Sequence, residues 1–196
     1  MLVLDVEASG TEANLHSVVS IGAIDLANPE RRFYVECRIW PGAKVMSGAL
    51  AVNGFTEAEI IDVSKLTEAE AIQQFIEWTK HLDNHTILGQ NPSFDRDMVR
   101  HACLRAGIAF DLPYRTLDTH TMAFMHMTQR GANIPFDEQR RRTDLNLNTI
   151  LQYCGVPAEP DPHNALTGAM CHAEVASRLL YNQKLLPEFE DCEIPW

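Results

Sequence analysis

The sequence has no cysteines at CxxC spacing, no long apolar run, no internal repeat and no low-complexity stretch. Each absence removes a class of protein. Its five cysteines, Cys37, Cys103, Cys154, Cys171 and Cys192, are odd in number and widely spaced. That pattern excludes a disulfide framework or a paired-thiol zinc site, and predicts reduced, mostly buried thiols. A membrane-spanning helix would need about 20 consecutive apolar residues, and none is present. The opening MLVLDVEASG lacks a basic n-region and places two acids where an apolar signal core would continue, so a cytoplasmic location is expected. Basic residues are also scarce. Against 27 Asp and Glu stand 16 Lys and Arg, and the net charge of −11 repels long polyanions. A protein that coats duplexes is excluded, whereas a metal-loaded cleft holding only a short strand end is compatible.

What is present suits a soluble α/β protein. With 196 residues, of which 45% are hydrophobic, the chain can bury one substantial core. The expected organisation is one domain over residues 1–182 followed by an acidic tail at 183–196. Residues 1–6, 17–26 and 32–40 read as three strands in succession; in the third, Phe33, Val35, Cys37 and Ile39 alternate with Tyr34, Glu36, Arg38 and Trp40. Residues 47–54 are weakly helical. A stronger helix follows over 67–81, with Ile72, Phe75, Ile76 and Thr79 at helical spacing and a Thr67–Glu70 capping-box pattern. Residues 86–91 and 114–119 read as further strands, each leading into a helix, the first near Pro92 and the second capped by Asp118. Helices at about 144–154 and 164–181 complete the chain. A strand meander followed by strand–helix alternation implies a mixed five-stranded sheet flanked by helices, with ligands at the carboxyl ends of its strands.

The candidate chemistry lies at one such end. Along the first strand Met1, Val3, Asp5 and Glu7 share a face, so an apolar row ends in two carboxylates. Like charges side by side are relieved by a divalent cation, and Mg²⁺ or Mn²⁺ suits oxygen ligands. Alone, a D-x-E pattern is weak, since acids at a strand end are most often simply solvated. Asp95 adds weight because it heads an apolar helical stripe with Met98, Val99, Ala102 and Ala106, although a first-turn Asp also complements the helix dipole. His163, before the last long helix, has the proton affinity of a base acting on water near pH 7.

In this order the residues resemble the DEDDh 3′→5′ exonucleases, the group of ribonuclease T, oligoribonuclease and polymerase proofreading subunits. Asp5-Val6-Glu7-Ala8-Ser9-Gly10 resembles the first motif of that family, Gly89-Gln90-Asn91-Pro92-Ser93-Phe94-Asp95 the second, and His163-Asn164-Ala165-Leu166 the start of the third. Leu117-Asp118-Thr119 and Asn53-Gly54-Phe55-Thr56 resemble further family segments. The resemblance implies a ribonuclease H-like fold and a two-metal phosphodiesterase that releases nucleoside 5′-monophosphates from single-stranded DNA or RNA 3′ ends. It implies that Asp5 bridges two Mg²⁺ or Mn²⁺ ions, that Glu7 holds the first, that Asp95 acts through water at the second, and that His163 is the base. For substrate contacts it points to Ala8, Asn53, Phe55, Asn91 and Phe94. The implied partners are a single-stranded 3′ end and, beyond it, a second copy of the chain or a polymerase-type protein.

Two positions depart from the pattern. Ala8 stands where a hydroxyl residue is usual, and Gly168 stands where the family places its last aspartate, a ligand of the first metal. Glycine is a poor helix former, so helix formation does not account for it. Divergence toward a weakened activity and an introduced inactivating change both remain open. His172, one helical turn on, is a conceivable substitute ligand, though imidazole is a poor match to a hard cation. Arg140, Arg141 and Arg142 form the one basic run and read as a solvated turn or a phosphate contact. The alternative to an exonuclease is a non-catalytic module of the same fold that binds nucleic acid or protein; retention of Asp5, Glu7, Asp95 and His163 favours the enzyme and Gly168 the module.

Overall fold

A computed structural model describes residues 1–196. Strands β1 (Leu2–Ala8), β2 (Val18–Asp25) and β3 (Asn28–Arg38) form an antiparallel meander. Helix α1 (Ser47–Asn53), the two-residue strand β4 (Leu66–Thr67) and helix α2 (Glu68–Thr79) follow. Next come β5 (Ile87–Gly89), α3 (Ser93–Ala106), β6 (Thr116–Asp118) and α4 (Thr119–Gln129). A short antiparallel ribbon, β7 (Phe136–Asp137) and β8 (Arg142–Thr143), precedes α5 (Leu147–Tyr153) and α6 (Ala165–Tyr181). The main sheet runs β4-β3-β2-β1-β5-β6, with β5 and β6 parallel to β1. It has six strands where the sequence implies five. The extra strand, β4, pairs only through Cys37–Leu66 and Arg38–Thr67, too short to leave an alternation in the sequence.

Period-two alternation in β1 divides the core. Leu2, Leu4, Val6 and Ala8 face α2 and α3, packing with Ile72, Phe75, Met98 and Val99. Val3 faces α6 and packs with Ala169, Ala173 and Ala176. Small residues let α6 approach the sheet closely: a Cβ on Gly22 would overlap the Ala165 backbone, so only glycine fits on β2 at that crossing. The capping box is complete, with Glu70 N–H donating to Thr67 Oγ1 at 3.2 Å and Thr67 N–H to Glu70 Oε2 at 2.8 Å. Pro92 caps α3 rather than opening it, and α5 begins at Leu147, capped by Asn146, where the sequence implies a start near 144. Four of the five cysteines are buried and all are free. No helix is long and apolar enough to cross a membrane.

Residues 183–196 lie against the helices. Arg178 of α6 is fully buried, pairs with Glu174 at 2.7 Å and donates to the carbonyls of Cys154, Phe189, Cys192 and Glu193. Glu174 in turn accepts from Leu185 N–H at 3.0 Å and Leu186 N–H at 2.9 Å. Trp196 stacks on Tyr153 with centroids 5.1 Å apart.

Candidate active site

Asp5 and Glu7 end the β1 row that begins with Val3, so both project on the α6 side near the carboxyl end of the strand. Their partners across the β1–β2 ladder are Gly22 and Ser20. Asp95 arrives from the first turn of α3 and is only 4% exposed; it is held by the Val6 N–H, which donates to its Oδ1 at 2.9 Å. That contact sets Asp95 beside β1. Burial, then Asp5, push the Asp95 carboxyl well above the usual range, against the pull of the Val6 hydrogen bond. Glu7 is pushed up to about 8 by burial, then by Asp5 and Glu159.

His163 lies in the segment before α6, 34% exposed, with its backbone N–H donating to Val52 O at 3.1 Å. Its Nδ1 is 3.8 Å from Glu159 Oε2 and its Nε2 is 3.8 Å from Asp161 Oδ1. Glu159 is the residue the sequence did not single out. It is buried, next to Gly168 and His163, and its carboxyl is raised by burial, against the opposing pull of His163. An acid between two prolines carries no periodic signal, and only its spacing of four from His163 could have drawn attention to it.

Gly168 is buried at the first inward turn of α6. A Cβ there would overlap Asp5 Oδ2, lie 2.8 Å from Asp5 Cγ and stand 3.2 Å from Glu159 Oε1. The place where the motif puts a side chain is therefore filled from two sides by other carboxylates. His172, 2% exposed, faces Asp5 with Nε2 3.5 Å from Oδ1, while its Nδ1 has no hydrogen-bond partner. Ser20 Oγ, fully buried on the Glu7 row, also lacks one.

The expected substrate residues divide. Ala8 and Asn53 are buried and joined, Asn53 Nδ2 donating to Ala8 O at 3.2 Å, so Asn53 braces α1 against β1. Phe55 is half-buried against Val19, Leu50 and Ile60 with the Lys65 ammonium over its ring at 4.6 Å. Phe94 is half-buried against the main core, and Asn91 is exposed at φ 50°. Arg140 and Arg141 occupy the exposed turn between β7 and β8, and Arg140 sits 3.4 Å from Asp137.

Four carboxylates, of Asp5, Glu7, Asp95 and Glu159, and the imidazoles of His163 and His172 thus lie together where β1, α3 and the start of α6 converge. The carboxylate donors are oxygens of the kind hard divalent ions take. In this conformation no three of these groups are gathered tightly enough to enclose an ion. The donor chemistry fits Mg²⁺ or Mn²⁺; the cage is not preformed. The apolar cavity of about 660 Å³ bordered by Arg38, Trp40, Thr67 and Arg105 shares no residue with this cluster.

No protein-family model matches the sequence, and no curated protein matches it. Solved structures do. Escherichia coli exonuclease I in complex with a dA16 oligonucleotide is similar over 97% of this chain and 42% of its own, with a TM-score of 0.73 and 19% identity. The moderately thermophilic exonuclease I from Methylocaldum szegediense is similar over 93% of this chain and 41% of its own, with a TM-score of 0.70 and 18% identity. For the zinc-bound form of the E. coli exonuclease I complex with single-stranded DNA, the shares are again 93% and 41%, with a TM-score of 0.69 and 18% identity. The chain spans less than half the length of these exonuclease I chains. At such identities the likeness is one of fold, and the chain has the ribonuclease H-like α/β architecture of the exonuclease I structures.

Proposed function

We propose that the chain is a divalent-metal-dependent 3′→5′ exonuclease that hydrolyses phosphodiesters at single-stranded DNA or RNA 3′ ends to nucleoside 5′-monophosphates. One observation carries the reading: Asp5, Glu7 and Asp95 converge at the end of β1, and burial with mutual repulsion lifts the carboxyls of Glu7 and Asp95. Uncompensated acids at a strand end cost stability, which a bound dication offsets. The similarity to exonuclease I structures that hold oligonucleotides supports the choice of a single strand.

In this reading Asp5 and Glu7 would hold one Mg²⁺ or Mn²⁺ ion, and Asp95, whose Oδ1 is oriented by the Val6 N–H, would help to hold a second. Bound divalent ions supply Lewis-acid polarisation of the phosphate and neutralise charge on the leaving oxygen. His163 takes the proton of the attacking water. The water oxygen bonds to phosphorus as the P–O3′ bond breaks, and the departing strand keeps the 3′-oxygen, which takes a proton from solvent to become a 3′-hydroxyl. Phe55 and Phe94 offer half-buried rings to the terminal bases.

The test is digestion of 5′-labelled single-stranded DNA and RNA with Mg²⁺ and with Mn²⁺. Stepwise shortening from the 3′ end, lost in EDTA and in Asp5→Ala, is the expected result. EDTA-resistant cleavage, or release from the 5′ end, would sink the reading. A second reading, a binding module without catalysis, is favoured by the absence of a preformed cage and by Gly168. It is the outcome if single strands bind and no condition cleaves them.

A further inference from the structure

The geometry points to Glu159 as the replacement for the carboxylate missing at position 168: it enters from the segment between α5 and α6 and completes the metal-binding acids from the opposite side of the same space. This inference rests on the proposed metal site. Three observations converge on it. First, Glu159 Oε1 stands 3.2 Å from the point where a residue-168 Cβ would begin, and Asp5 overlaps that point. The two carboxylates therefore border the same small space from two sides, and a cation placed between them would face both. Second, the replacement is exclusive. With Glu159 in place, a side chain at 168 makes the tip of Asp5 turn aside and crowds Glu159 at the same time, so glycine is what leaves room for the longer acid from the loop. An aspartate at 168 has room beside a turned Asp5 only once Glu159 is removed.

Third, the carboxylate is unsatisfied in a way that other buried acids are not. Glu68 accepts from Ser17, Val18 N–H and Arg105, and Glu174 from Arg178 and two backbone N–H groups. The Glu159 side chain is 4% exposed and accepts no hydrogen bond from the protein, the His163 nitrogen at 3.8 Å lying beyond bonding distance. Yet its place is held: the Glu159 N–H donates to Asn148 Oδ1 at 2.9 Å, and His163 N–H ties the same segment to Val52. A firmly positioned, buried carboxylate that accepts no hydrogen bond is costly unless a cation or proton meets it. Glutamate is one methylene longer than aspartate, which suits an acid reaching in from a loop rather than down from α6.

The experiment measures Mn²⁺ binding to the full chain by calorimetry and by the paramagnetic resonance of the free ion, with circular dichroism as the folding control. Wild type, Asp5→Asn, Glu159→Gln, Glu159→Ala and the double variant Glu159→Ala/Gly168→Asp are compared. The expected pattern is loss of binding in Asp5→Asn, a weakening of about tenfold or more in Glu159→Gln and Glu159→Ala, and recovery in the double variant, where the carboxylate returns on α6. If folded Glu159→Gln binds Mn²⁺ as wild type does while Asp5→Asn does not, Glu159 is no ligand and the metal site itself stands. A shifted His163 titration in Glu159→Gln, with Mn²⁺ affinity unchanged, would assign Glu159 to positioning the histidine and overturn the inference. Failure of Gly168→Asp to recover binding lost in Glu159→Ala would refute the shared position. Equal binding, or none, in wild type and Asp5→Asn would overturn the metal site and this inference together.

Discussion

At Glu7, burial and the neighbouring acids act in one direction, and the carboxyl is pushed from an ordinary 4.5 up to about 8. Between those values the folded chain keeps a proton that the unfolded chain has released, so the metal-free protein loses stability as pH rises through that window. Thermal melts in EDTA at about pH 5 and about pH 8 should show the drop in wild type and a smaller one in Glu7→Gln. Equal drops in the two proteins would mean that Glu7 ionises normally. His163 bears on rate instead. His163→Ala should slow single-turnover cleavage by roughly 10² to 10⁴-fold while leaving strand-end binding largely intact. Unchanged cleavage in that variant would return His163 to a purely structural part.

Among the elements, α6 decides the site, because it covers the face of β1 and β2 from which Asp5 and Glu7 project. It sits close enough for this through Gly22, whose missing side chain admits the Ala165 backbone, and through the Ala169, Ala173 and Ala176 stripe. Gly22→Ala therefore meets immovable backbone rather than a flexible side chain. The expected loss is about 1–3 kcal/mol, toward the upper end, measured by urea unfolding. Displacing α6 should also weaken Mn²⁺ binding, since Gly168 and the segment carrying Glu159 move with it. A variant of wild-type stability and affinity would show that the helix is not seated by this contact.

At the scale of the whole molecule, the C-terminal residues close the structure over α6. Arg178 is the joint: its guanidinium is buried against Glu174 and four carbonyls, three of them from residues 189–193. Arg178→Ala leaves Glu174 without its charge partner, and about 3–5 kcal/mol should be lost. Limited proteolysis should then cut first beyond residue 182, well before the sheet is attacked. Cleavage no faster than in wild type would mean that Trp196 and its stacking on Tyr153 suffice to hold the segment.

Local patterns determined a good part of this protein. The alternation in β1 and β3, the apolar stripe of α3 and the Thr67–Glu70 cap depend on neighbours in sequence, so elements and faces were legible before any contact was known, and the order of Asp5, Glu7, Asp95 and His163 suggested one site. Contacts between distant segments carry no such period. The two-residue β4, the burial of Arg178 by the chain end, and the placing of Glu159 against Gly168 and Asp5 depend on where separate elements come to rest. From sequence Gly168 is a missing ligand; in three dimensions it is the space into which two other carboxylates reach, because close packing of α6 on the sheet brings the preceding loop and the end of β1 to the same point.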